Sequence, residues 1–151
     1  MSQAFQVLFL ALFILPAVFF VITLQNTLKA ISPENRKMPF ANVWLLFIPL
    51  FNFYWQFVVV NKIAESIAME CEKLQIPVKE TKPTYNLGLS WNICYILFLI
   101  PITRLWMSII LMITWILYWI KVNQYKKLII ENQNSFLLDA EQNIFYGDRT
   151  S

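Results

Sequence analysis

The chain has 151 residues, of which 58% are hydrophobic, 17% aromatic and only 14% charged, with a formal net charge of +3. A water-soluble domain of this length cannot hide so much apolar surface. Two Gly, two Cys and no His also exclude a collagen repeat, a disulfide scaffold, a zinc finger and histidine-based acid/base catalysis.

The composition predicts an all-α fold: an integral membrane four-helix bundle with cytoplasmic extensions of helices two and four. The first charged side chain is Lys29, so residues 4–24 form span one, matching the roughly 20 apolar residues that a hydrocarbon layer requires. Met1 to Gln6 carries no Lys or Arg, and the apolar core runs into Thr23, Gln25 and Asn26. That pattern predicts a retained helix rather than a signal peptide. Ser32-Pro33-Glu34 has the form of an N-cap with Pro at the first helical position, and Asn35 to Pro39 restarts the chain, predicting a short ordered connection.

Residues 38–61 are charge-free and form span two, with a helix kink expected at Pro49. No breaker follows until Pro77. Ile63, Ile67, Cys71 and Leu74 recur at helical spacing among Lys and Glu, so helix two is expected to leave the membrane as an amphipathic arm. Residues 85–102 and 105–121 are spans three and four, divided by Arg104, with Pro101 ending the first of them. The fourth run from Leu105 reaches only about 24 Å of a roughly 30 Å core. Snorkelling of Arg104 and Lys121 closes that gap; a re-entrant pair over 83–120 is the alternative.

Helix four continues as a second arm with Val122, Tyr125, Leu128 and Ile129 on its apolar stripe. Both arms are C-terminal helix ends, which four spans bring to one side. They are expected to pack together through Ile63, Ile67, Leu74, Tyr125 and Leu128. Residues 1–132 then make one domain. Residues 133–151 form a polar tail with apolar clusters at Phe136-Leu137-Leu138 and Ile144-Phe145-Tyr146, either a frayed terminus or a docking segment.

Four spans put Lys62, Lys73, Lys79, Lys82, Lys121, Lys126 and Lys127 on one face, and Lys29, Arg36, Lys37 and Arg104 on the other. The positive-inside rule then places the first group and both termini in the cytoplasm. No arm is a basic run, so nucleic-acid binding has no support. Cys71 and Cys94 read as structural thiols.

The four charge-free runs, the last ending at Ile120, hold no Asp, Glu, His or Lys, and the chain has no Gly-rich phosphate loop, so no catalytic, cofactor-binding or metal-ligating residue is assigned and no cofactor is expected. Ser90, Thr103, Ser108 and Thr114 read as helix-packing hydroxyls. The polar groups within spans are amides: Asn52 and Gln56, one turn apart on helix two, and Asn92 on helix three. An amide cannot face lipid cheaply, so these three mark a polar interface or cavity. Trp44, Trp91, Trp106 and Trp119 fall near span ends and, with Arg104 and Lys121, read as interfacial anchors. Trp115, Tyr118 and Val122 make a packing stripe.

The stretch from Trp44 to Trp55, with Pro49, Asn52 and Trp55 in a proline, asparagine and aromatic outline, resembles the second-helix segment of small bacterial four-span membrane proteins known only as domains of unknown function. The resemblance implies a bacterial inner-membrane protein and imports no activity. The resulting expectation is a non-catalytic polytopic membrane protein whose partners are the lipid bilayer and either further copies of itself or another membrane protein. A small homo-oligomeric ion channel or membrane-disrupting effector is the alternative; an intramembrane enzyme ranks third.

Overall fold

The computed structural model describes the backbone of residues 3–147 and the side chains of residues 14–138. Within them the chain forms four α-helices, α1 (Gln3–Ala30), α2 (Phe51–Lys73), α3 (Tyr85–Phe98) and α4 (Arg104–Gly147), with a 3-10 helix at Phe40–Phe47 and no strand. By length and composition one helical stretch, Arg104–Leu138, is apolar enough to cross a membrane, and Ile14–Ala30 is a shorter apolar helix.

The charge-free run 38–61 is not a single kinked helix. Ile48 leaves the 3-10 helix with extended backbone, its N–H donating to Leu45 O at 3.1 Å. Pro49 then supplies no N–H to continue the ladder, and Leu50 takes φ 65, where the chain reverses into α2. Ile48 O accepts the backbone N–H of Asn52 at 3.0 Å, so the Asn52 main chain, not its side chain, serves the break. The 3-10 helix runs down α1 while α2 runs back up. Lys29 lies over Phe40, Trp44 Nε1 donates to Gln25 at 2.8 Å, and Trp55 Nε1 donates to Asn42 O across the hairpin at 2.9 Å.

This reversal makes α1, α2 and α4 parallel. Along α1, Phe20 meets Trp115, Thr23 meets Trp119 and the Ala30 carbonyl meets Gln133, ascending both helices together. The ends of α1, α2 and α4 therefore share one pole of the bundle with the α2–α3 loop, and the turns at 48–50 and 99–103 lie toward the other. Two expectations are corrected. Arg36 and Lys37 stand at the same pole as Lys126 and Lys127, and the N-terminal end of α1 and the C-terminal end of α4 lie at opposite ends of the bundle. Both differences follow from reading 38–61 as one continuous helix, where the chain instead reverses at Pro49 and Leu50.

Glu70 is the hub of the charged pole. Its carboxylate is fully buried and accepts from Ser32 N at 3.2 Å, Ser32 Oγ at 2.8 Å, Asn35 Nδ2 at 2.7 Å and Gln133 Nε2 at 2.7 Å. Ser32 thus binds α2 and caps no helix; Pro33 to Asn35 form a single turn closed by Asn35 N to Ser32 O. Arg36 donates to the Ile31 carbonyl, satisfying the exit of α1. The α2 exit is closed by Gln75 N to Glu72 O and Ile76 N to Cys71 O around Gln75 at φ 52, the Schellman pattern, with Ile76 packed back into the core.

Ile63, Ile67, Cys71, Val122 and Ile129 are all buried in one cluster, with Leu74, Tyr125 and Leu128 packed against it. Pro101 closes α3, and Thr103 Oγ1 holds the turn by donating to Leu97 O at 2.6 Å. The segment after residue 132 is not a separate tail, because α4 continues to Gly147 and docks through Gln133. Phe136, Leu137 and Leu138 are exposed on that extension; the side chains of Ile144, Phe145 and Tyr146 lie outside the described residues, as do those of Met1 to Gln6.

Burial works against the Glu70 charge, but the bonds from Asn35, Ser32 and Gln133 outweigh it and hold the carboxyl below its ordinary value of 4.5. A lowered folded value means the stabilisation is complete above that ordinary value and lost as pH falls through the folded one. Glu70→Gln puts an amide N–H₂ among donors and is expected to cost about 1–3 kcal/mol at neutral pH. Thermal unfolding between neutral and acidic pH checks this: the variant should melt lower at pH 7, and the gap should close on acidification.

Candidate functional site

Below the charged pole the core is aromatic. Phe20 of α1 makes edge contacts with Trp91, Trp115, Tyr118 and Trp119 at centroid separations of 5.6, 5.6, 6.0 and 5.9 Å, an arrangement that aromatic quadrupoles favour. Trp91 also stacks on Tyr118 at 5.9 Å. What lets α3 this close is Gly88, since a Cβ there would stand 2.5 Å from Val60 Cγ1 and 2.9 Å from Tyr118 Cε2.

Beneath this layer lies a cavity of about 350 Å³ to which all five helices contribute, from Ala17 and Phe20 of α1 to Leu46, Asn52, Gln56, Trp91, Tyr95 and Trp115. Its lining carries no charged side chain. Two of the three amides singled out from sequence, Asn52 and Gln56, line it. Gln56 is only 3% exposed. The Asn52 Oδ1 and Gln56 Oε1 atoms are buried without a hydrogen-bond partner in the chain. Because this face turns inward within one chain, no neighbouring subunit is needed to cover it.

The third amide, Asn92, is 1% exposed, and neither end of its side chain has a partner. The facing pairs Phe53–Tyr95 and Val60–Gly88 fix an antiparallel register in which Gln56 and Asn92 come level, one turn from the Gly88 contact. The polar level therefore sits directly under the aromatic one.

The assigned anchors divide. Trp106 is 75% exposed beside Arg104, which lies over Phe98 at 5.3 Å, and Trp44 is exposed on the flank. Lys121 pairs with Glu80 at 2.8 Å. Trp91 and Trp119 are half-buried against the core: Trp91 is drawn inward by the Gly88 approach, and Trp119 donates to Thr23 Oγ1 at 2.9 Å.

Phe20, Gly88 and Glu70 were missed as organising residues. Glu70 falls on the helical stripe that starts at Ile63 and Ile67, and Gly88 is one of two glycines in the chain; both were visible as exceptions to their surroundings. Among the described residues no cluster of His, Cys, Asp and Glu could hold a metal ion. No protein-family model, characterised protein or solved structure matches the chain, so the likeness around Trp44 to Trp55 rests on those residues alone.

Gly88→Ala forces a methyl into the Val60 side chain, which is branched and buried and cannot swing aside. Overpacking of this kind costs about 1–3 kcal/mol. Combining it with Val60→Ala vacates the same space, so the double variant should melt closer to wild type than the sum of the two single losses; additive losses would show that the contact does not set the approach of α3.

Proposed function

We propose that this chain is a non-catalytic integral membrane protein that works as a homo-oligomer or as a subunit of a larger membrane complex. The observation that carries the reading is the segregation of charge from exposed apolar surface. Every cation among the described residues except Arg104 sits at the charged pole. From Arg104 to Lys121, α4 exposes Leu105, Ile109, Ile113, Ile116 and Ile120 over a rise of about 26 Å. With snorkelling at both ends this fits a hydrocarbon core of roughly 30 Å, and the helical stretch of α1 from Gln3 to Thr23 rises by about the same thickness.

In this setting α1 and α4 cross in the same direction, α3 returns against α4 and α2, and the 3-10 helix with α2 makes a re-entrant hairpin. From Lys62 to Leu50 that hairpin descends only about 18 Å. Non-helical backbone at membrane depth is tolerated when its polar groups are met by protein. Here Pro49 has no N–H, the carbonyls of Ile48, Pro49 and Leu50 accept from Asn52, Phe51 and Phe53, and the tip presents Ile48 and Leu50 outward. The positive-inside rule puts the charged pole in the cytoplasm, in a bacterial inner membrane if the likeness around Trp44 holds, with the N-terminal end of α1 on the far side.

The absence of charge from the cavity lining supports a binding or assembly role over chemistry. The amides of α2 face into the single chain, which gives a pore between copies no polar wall from them.

Impermeant maleimide labelling of sealed vesicles tests this. Cys71 is buried, and its thiol is pushed up to about 11 by burial and by the Glu70 carboxylate beside it, so it stays unreactive at neutral pH. In a Cys94→Ser background, Lys37→Cys and Lys127→Cys should label from the same face and Trp106→Cys from the other. Labelling of Lys37→Cys and Lys127→Cys from opposite faces would restore an antiparallel four-span arrangement, and release of the protein from vesicles by alkaline carbonate would overturn the membrane reading.

A further inference from the structure

We infer that the cavity is a binding site for an uncharged lipophile bearing a hydroxyl group, which donates a hydrogen bond to the side-chain oxygen of Gln56. The inference rests on the membrane reading above and assigns a ligand class to the same site.

Three observations carry it. First, the volume of about 350 Å³ falls within the range of small-molecule pockets, roughly 300 to 1,000 Å³. Second, the walls are aromatic and aliphatic with no charged side chain, so neither a cation nor an anion would find a counter-charge there to offset its desolvation. Third, Asn52 Oδ1 and Gln56 Oε1 are buried acceptors on one face of α2 that have no hydrogen-bond partner among the described residues. Of the two hydroxyl-bearing residues on the wall, Ser108 and Tyr95, Ser108 gives its own proton to Leu105 O at 2.7 Å.

A ligand that brings a donor meets acceptors that the fold leaves unpaired. A single hydroxyl on an otherwise apolar body satisfies a buried carbonyl oxygen while the body fills the aromatic space. Water at the amides is the competing occupant, but it leaves the apolar space against Phe20, Trp91 and Trp115 unfilled. The route in is lateral: Phe47 and Met112 line the cavity and are 43% and 50% exposed, which puts its rim on the outer apolar belt. A neutral lipid alcohol or a hydroquinone has this chemistry.

Trp91 and Trp115 are on the wall, so a brominated ligand should quench them. The full chain, reconstituted in phosphatidylcholine vesicles, is titrated with a terminally brominated long-chain alcohol and with its methyl ether, which keeps the oxygen and loses the donor. The expected result is saturable quenching by the alcohol at about tenfold lower concentration than by the ether, the worth of one hydrogen bond of about 1.4 kcal/mol. Gln56→Leu should bring the alcohol to the level of the ether. Ala17→Leu, which narrows the cavity and leaves both amides in place, should weaken both ligands. Trp91→Phe with Trp115→Phe should remove the saturable component.

Equal binding of alcohol and ether by the wild type would overturn the proposal, as would an unchanged preference in Gln56→Leu or quenching that never saturates, which would mean encounters with ligand dissolved in the bilayer and no site. Should Gln56→Leu fail to fold, the wild-type comparison and Ala17→Leu decide. Chains that float with the vesicles yet show no saturable quenching refute this site alone; chains that do not float refute the membrane reading.

Discussion

Among the described residues the Glu70 carboxylate is buried with four hydrogen bonds and no cation in direct contact, a state that persists only while every donor stays in place. Those donors come from the turn after α1 and from α4, so the group joins three helices at one level. A carboxylate deprived of them would be a buried uncompensated charge, which is among the costliest defects a core can hold. The shared direction of α1, α2 and α4 is the geometric consequence, and the lowered pKa of the group is its electrostatic one.

Such an arrangement requires the chain to return to the charged pole after leaving α1, and the 3-10 helix with its reversal at Pro49 and Leu50 makes the return short. The same short return starts α2 part-way along the bundle, with Leu50 and Tyr54 outward and Asn52 and Gln56 on the face that lines the cavity. Gly88 closes that space above by bringing Trp91 and Tyr118 over α2. The pole and the cavity are thus two results of one chain reversal.

The all-α class was legible because charge-free runs and helical spacing carry it directly. So were the stripes of Ile63 with Ile67 and of Val122 with Ile129, whose burial follows from periodicity alone. The direction of the helices was not legible. A run of the length of 38–61 counts as a crossing on hydropathy, and Pro49 alone does not distinguish a kink from a full reversal; the difference lies in Leu50 taking a positive φ, which no residue preference announces. Once that run was counted as a crossing, Arg36 and Lys37 fell on the wrong side by arithmetic. The amides were identified as inward-facing from the cost of exposing them to lipid, but the cavity itself, and the place of Trp91 beside it, depend on the close approach at Gly88.

Under the proposed membrane reading, charge gathered at one pole and an uncharged cavity that opens onto an apolar flank serve the binding of something dissolved in the bilayer. All of this depends on the turn after α1 lying against the end of α2, as the ion pair between Glu34 and Lys73 at 2.7 Å places it. Spin labels at Glu34→Cys and Lys73→Cys in the bilayer-reconstituted chain measure that directly by pulsed electron resonance. A separation well below the roughly 30 Å of a hydrocarbon core is the result predicted here; a separation at or beyond that thickness would contradict the parallel arrangement and the re-entrant hairpin with it.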